Sequence, residues 1–350
     1  MRLVLGGYTS GAGGGIGVVR LEDGRFGTPV VVAEATNPSF LVVSPDGQFV
    51  YAVLEGDEGA VGAWVVGDDD VAPWGALGER STGGSAPCHL ALSPCGRFVV
   101  AANYGSGSVS VHPVGSDGSL GDRTDLAVHA GPLGPVADRQ DRPHAHQVVF
   151  GPLGQLFSCD LGLDAVIAYE LDGGTGRLSE VARSAVAAGT GPRHLAFSPD
   201  GGTAWVVGEL SSTVTACEVD GPSLTPVASV STRGTSAVGE NRAAEILMSA
   251  DGGEVFVSNR GDDTVASFTV DGTSLRLNGV AVCGGRWPRF IAFGDNESTV
   301  VVTNERSGSV THLERDGNQW SVTDSAEWRQ PTAVAHLVWS QEASVPAMND

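Results

Sequence analysis

Lysine is absent from this 350-residue chain: all twenty basic side chains are arginine, set against 41 Asp and Glu for a formal charge of −21. Without lysine there is no Schiff-base chemistry and no lysine general base. A site for an anion must therefore use arginine, histidine or backbone N–H groups. The acidic balance argues against nucleic acid and anionic membranes as partners, because both select basic surface. Cysteine is scarce and odd in number: Cys88, Cys95, Cys159, Cys217 and Cys283 are scattered, with no CxxC. That pattern argues against a disulfide framework and a zinc site, and each thiol is expected to serve as a small buried hydrophobe. No uncharged apolar run reaches the roughly eighteen residues of a membrane span. The opening MRLVLGGYTSG is too short for the apolar region of a secretion signal, so a cytoplasmic protein is expected.

Glycine is abundant, at 50 residues, with 18 proline. Apolar strand-like runs lie between them, which points to many tight turns rather than disorder. The pattern is apolar strand, Ser-Pro-Asp-Gly-like turn, apolar strand, polar tip. Turns begin at Ser44, Ser93, Gly151, Ser198, Ser249 and Gly294, with a degenerate seventh at Ser340, in steps of 49, 58, 47, 51, 45 and 46 residues. Several short strands per unit at this period predict an all-β, seven-bladed β-propeller with four antiparallel strands per blade. In one repeat, Arg193–Ser198 reads as innermost strand A, Thr203–Gly208 as B, Val214–Val219 as C and Leu224–Thr232 as D. Leu3–Tyr8, Ile16–Leu21 and Pro29–Ala35 read as B, C and D of a last blade whose A strand is Val334–Ser340. Closing the ring in this way removes two free sheet edges. Residues 1–350 are expected to form a single domain.

Strands alternate direction, so the start of A and the end of B share one mouth of the ring. Five residues before each turn stand Ser39, Cys88, His146, Arg193, Ala244, Arg289 and Ala335. Eleven after each turn's first residue stand Glu55, Tyr104, Gly162, Glu209, Arg260 and Glu305. His146, Arg193, Glu209, Arg260 and Arg289 break the small or apolar character a structural repeat would keep, with Asp160 and Glu245 close by. This suggests a polar small-molecule site; interblade ion pairs are the structural alternative. His89, His194 and His336 lie one residue off the row and are expected to face blade packing. The long step places Ala130–Arg142, rich in Gly, Pro and charge, as a loop over the same mouth.

These residues also carry a resemblance. Arg139-Gln140, Pro143-His144-Ala145-His146, Cys159-Asp160-Leu161-Gly162, Gly191-Pro192-Arg193-His194 and Glu209-Leu210 occur in order. They are followed by Ala243-Ala244-Glu245-Ile246, Ser258-Asn259-Arg260-Gly261 and Pro288-Arg289, and Gly7-Tyr8-Thr9 and Ala102-Asn103-Tyr104 fit as well. The chain resembles the seven-bladed lactonase family of 6-phosphogluconolactonases, which also contains carboxy-muconate cyclases. The resemblance implies hydrolysis of 6-phospho-D-glucono-1,5-lactone to 6-phosphogluconate, a step of the pentose phosphate pathway, with no cofactor and no metal. In the cyclase branch a His, two Arg and a Glu form the reactive group, which by motif falls on His146, Arg193, Arg260 and Glu209 here; His144, Asp160, Glu245, Arg289 and Asn103 are expected around a small anionic lactone. The family often has His after Ala-Glu-Ile, where this chain has Leu247. A lactonising isomerase acting on muconate-like diacids, and a non-catalytic binding platform, are the competing readings. Glu55, Asn103, Asn259 and Asn304 are potential calcium ligands, but they are spread across blades with arginine between them.

Overall fold

The computed structural model describes residues 1–9, 14–67, 69, 71–235, 237–317 and 319–337. Among them every regular element is a strand, and the strands form seven antiparallel sheets. The innermost strands are Phe40–Val43, Pro87–Leu92, Ala145–Phe150, Pro192–Phe197, Arg242–Met248, Pro288–Phe293 and Pro331–Leu337. Each touches the innermost strand of the next sheet and the last touches the first, so the sheets are the blades of a closed ring. Blade 4 has strands Pro192–Phe197, Thr203–Gly208, Thr213–Asp220 and Ser223–Ser231, within two residues of the sequence expectation.

The ring closes by three strands and one. Pro331–Leu337 pairs with Arg2–Gly7, from Arg2 opposite Leu337 to Gly7 opposite Pro331. Arg2–Gly7 pairs with Gly15–Glu22, which pairs in turn with Val30–Glu34. The expected turn at Ser340 lies outside the described residues.

Burial follows position in the blade. Middle strands such as Phe98–Asn103 are buried on both faces, whereas outer strands such as Ser274–Val282 are mostly solvated. The core lies between blades: Trp205 and Val207 of blade 4 pack with Ile246, Val255 and Val257 of blade 5. The Ser-Pro-Asp-Gly turns hold themselves together at the far end from the mouth. Ser198 Oγ donates to Asp200 at 2.6 Å and accepts the Thr203 N–H at 2.9 Å, with Gly201 at φ 72°. Positive φ there favours glycine. One thiol departs from expectation. Cys95 is exposed because it occupies the Asp position of the blade 2 turn, while the other four are buried.

One local device positions the site. In six blades the A–B ladder slips by a residue at the mouth, at Gly6/Gly7, Ala102/Asn103, Ala145/Gln147, Pro192/His194, Ala243/Ile246 and Pro288/Phe290. Just before strand A the backbone is often left-handed: Asn37, Ala86, Trp287 and Gln330 have φ of 47°, 48°, 65° and 41°. A bulge breaks the strict in-out alternation and re-aims the side chains that follow.

Candidate active site

The backbone fixes which residues occupy the mouth. The residue ending strand B donates its N–H to the residue two before the start of A. The pairs are Glu55 to Asn37, Tyr104 to Ala86, Leu161 to His144, Glu209 to Gly191, Glu305 to Trp287 and Tyr8 to Gln330, all at 2.8–3.1 Å. In blade 5, Arg260 stands opposite Arg242 in the ladder. Two counted positions shift as a result. Leu161 rather than Gly162 ends strand B of blade 3, because the tight Gly151 turn is one residue shorter. Thr332 rather than Ala335 opens strand A of blade 7, two residues after Gln330 as Arg193 follows Gly191. The same register adds Tyr8, which the count could not reach because no turn precedes it.

The structure brings Arg193, Glu209 and Arg260 together and adds Arg139. Glu209 Oε1 accepts from Arg139 Nη2 at 2.6 Å, and Oε2 accepts from Arg260 Nη2 at 2.6 Å. Arg193 Nε lies 3.4 Å from the same Oε2. Arg193 also donates to the Ala244 carbonyl at 2.8 Å and Arg260 to that of Ala243 at 3.2 Å, anchoring both on blade 5. Arg193 and Arg260 are buried, at 3% and 5% exposure. Arg139 comes from the long loop, which does lie over the mouth as expected, and it also donates to Tyr104 Oη at 3.3 Å.

Three guanidiniums facing one carboxylate leave two positive charges without an anion. Burial alone would raise Glu209, but Arg260, Arg139 and Arg193 together hold it far below the usual carboxylate range. Arg193 is pushed down to about 9 by burial and by the neighbouring Arg260 and Arg289. Buried cations without counter-charge are costly, and an incoming anion relieves the cost. The Nε atoms of Arg193 and Arg260 and Arg139 Nη1 are buried with no hydrogen-bond partner among the described residues.

His146, next to this group in the row, has a buried Nδ1 without a hydrogen-bond partner among the described residues, and its ring meets those of Tyr104 and His194 edge-on at 5.6 and 5.1 Å. Burial, then Arg193, keeps it well below the ordinary histidine pKa, so it is neutral. His89 and His194 do not face blade packing. Their rings meet at 5.0 Å although they come from blades 2 and 4, which blade 3 separates, so they point across the channel. The bulge turns them inward. His89 stacks on Phe40 at 3.8 Å, and His194 Nδ1 lies 3.0 Å from Glu245 Oε1. Together they floor the mouth. Burial raises Glu245 to about 8, against the opposing pull of Arg193. His336, as expected, ties blades: its Nε2 lies 2.7 Å from the Phe293 carbonyl.

The remaining expected residues stand one layer back. Asp160 accepts the N–H groups of His144 and Leu163 at 2.9 and 3.0 Å, and His129 Nδ1 lies 2.7 Å from its other oxygen. It holds the loop that carries His144. His144 stacks on Tyr104 at 4.3 Å and lies 3.0 Å from Asp141, bracing the loop that carries Arg139. Asn103 is fully buried and donates to Ser108 Oγ at 3.1 Å. Arg289 lies at the mouth, paired with Glu305 at 3.0 Å. Leu247 packs with Phe256 and Ile291 between blades 5 and 6, so the departure from the family's His removes nothing from the mouth. Counting missed Arg139 because loop residues have no repeat position; its signals were the Arg139-Gln140 stretch of the resemblance and the run of charge in an unusually long loop. Among the described residues, no three His, Cys, Asp or Glu side chains converge to hold a metal ion.

The family model described as Lactonase, 7-bladed beta-propeller matches residues 2–336. The chain belongs to this lactonase family. It is 33% identical over 320 residues to the 6-phosphogluconolactonase of Bacillus subtilis, covering 89% of this chain and 90% of the relative. The lactonase ring superposes on a periplasmic gluconolactonase of Pseudomonas aeruginosa with TM-score 0.88 at 30% identity, covering 96% and 99% of the two chains. A protein from Lactobacillus plantarum gives TM-score 0.88 at 31% identity over 95% and 98%.

Proposed function

We propose that this lactonase-family chain hydrolyses a sugar-acid lactone at the arginine-lined mouth, with 6-phospho-D-glucono-1,5-lactone as the substrate. The observation that carries the reading is the buried Glu209 held by Arg139, Arg193 and Arg260, with two positive charges in surplus beside a neutral, unpartnered His146. Lactone opening needs an activated water and a place for negative charge on the carbonyl oxygen. Glu209, held so firmly as the anion, is too weak a base to take the water's proton. Its role is to fix the arginines in register.

His146 is the base. Burial and the arginines oppose its protonation in the free site, but the negative charge developing on the carbonyl oxygen offsets that repulsion. Proton transfer is thus coupled to formation of the oxyanion. Water attacks the carbonyl carbon while His146 takes a proton, and Arg193 and Arg260 hold the oxyanion. The tetrahedral species then collapses by breaking the ring C–O bond, and His146 returns its proton to the leaving alkoxide.

The relatives' names support placement in the pentose phosphate pathway and in the cytoplasm; a periplasmic gluconolactonase among the similar structures makes cell fractionation the check on location. The reading is tested by hydrolysis of 6-phosphogluconolactone, gluconolactone and a muconolactone, each with and without EDTA. Hydrolysis of a sugar lactone that survives chelation is expected. Turnover of the muconolactone alone would favour the isomerase reading. Loss in EDTA restored by calcium would move the chemistry to a metal.

A further inference from the structure

A second cluster occupies the other side of the mouth, from blades 1, 6 and 7, and the hydrolytic step does not use it. Tyr8 Oη donates to Glu55, lying 3.1 Å from each carboxylate oxygen. The Arg289 guanidinium lies over the Tyr8 ring, 5.4 Å from its centroid, and donates to Glu305 Oε2 at 3.0 Å. All four are row positions, so their side chains reach the same mouth. Their exposure differs from that of the Glu209 group: Arg289 and Glu305 side chains are 17% and 16% exposed, against 3% for Glu209. Their balance is also reversed, with two carboxylates against one guanidinium. Glu55 has Tyr8 as the only hydrogen-bond partner of its carboxylate among the described residues, and Glu305 Oε1 accepts no bond from them.

A mouth that must attract an anion is weakened by carboxylates on its rim unless the ligand presents donors to them. Sugar hydroxyls are such donors. A carboxylate accepts their O–H groups, a guanidinium donates to their oxygens, and a tyrosine ring covers a pyranose-sized C–H face. We propose that Tyr8, Glu55, Arg289 and Glu305 form a hydroxyl-binding subsite that selects polyhydroxylated lactones over bare or polycarboxylated ones. The inference rests on the hydrolytic reading and names its substrate class. A lactone without hydroxyls leaves these groups unpaired, and one bearing extra carboxylates is repelled by them.

The test uses Glu55→Gln and Glu305→Gln in the full chain, assayed on glucono-1,5-lactone and on δ-valerolactone, a six-membered lactone without hydroxyls. Calorimetric titration with gluconate reads the subsite without turnover. Each variant is expected to raise KM for gluconolactone about tenfold with kcat retained, to weaken gluconate binding by the same factor, and to alter δ-valerolactone turnover far less. Equal loss on both lactones would assign the carboxylates to the chemistry and overturn the subsite, as would no change on either. If the parent protein opens neither of these lactones nor 6-phosphogluconolactone, the hydrolytic reading falls and titration alone decides. Gluconate binding weakened by both substitutions keeps the subsite; binding that is absent or unaffected removes it.

Discussion

At the scale of single residues, the ion-pair network and the proposed reactive group share the same side chains, Glu209 with Arg193 and Arg260. Replacing Arg260 with Ala should lower turnover on the order of a hundredfold or more, if its guanidinium stabilises the oxyanion. Because Arg260 is buried against Glu209, the same change should also destabilise the fold. Glu209→Gln should cost about 3–5 kcal/mol by stranding the buried guanidiniums of Arg193 and Arg260 and the half-buried one of Arg139. Denaturant unfolding of both variants beside their lactone kinetics checks this; full stability with full loss of turnover would remove the structural half of the role. Glu245 makes a second test. Its folded pKa of about 8 lies above the value in an unfolded chain, so the neutral carboxyl favours the fold at low pH. That contribution fades as pH rises from the unfolded value through about 8, since the unfolded state then ionises freely and the buried group does not. Glu245→Gln should therefore gain on the parent protein in thermal stability between pH 5.5 and 8.5. A gap that does not widen with pH would mean that His194 and Arg193 keep Glu245 ionised.

At the scale of elements, the bulge at the start of strand A and the loop 130–142 do the positioning. The bulge lets Arg193 and His194, neighbours in sequence, both serve the channel: one joins Glu209 and the other faces His89 and Glu245. The loop is seated by Gly162, where a Cβ would collide with the Arg142 carbonyl oxygen and press on the His144 N–H. Gly162→Ala should shift residues 142–144 and withdraw Arg139 from Glu209. Turnover is expected to fall about as far as in Arg139→Ala. Parent-like kinetics in Gly162→Ala beside a crippled Arg139→Ala would show that the loop accommodates the methyl group without moving its arginine.

At the scale of the whole molecule, the ring depends on one strand from its far end. Pro331–Leu337 is the innermost strand of blade 7, bonded to Arg2–Gly7 and packed on the inner strands of blades 6 and 1. Removing residues 331–350 exposes the edge of Arg2–Gly7 and the apolar flanks Leu3, Leu5 and Val334 now share with Val301 and Val310. Such an open propeller should lose cooperative unfolding and aggregate through the free edge. Calorimetry of the truncated chain decides: a single transition at the parent temperature would mean that the remaining sheets hold the ring. We propose that residues 1–350 form one cooperative domain, which the same scan of the intact chain tests.

The sequence by itself determined the blade count, the three-plus-one closure and the end of the ring that carries charge, because these follow from strand period and alternation, which are local. It also brought out His146, Arg193, Glu209, Arg260 and Arg289, since a charge that breaks a repeat is visible without coordinates. Counting failed where the chain departs from equal spacing: at the shortened turn of blade 3, at the blade whose strands lie at opposite ends of the chain, and in the loop that supplies Arg139. Only the tertiary structure decided that His89 and His194 meet inside the channel, that the arginines are buried, and that Glu55 and Tyr8 face Arg289. The physical reason is that a bulge reverses side-chain direction without changing sequence spacing, and burial, which sets both pKa and the strength of each ion pair, depends on the neighbours the ring supplies.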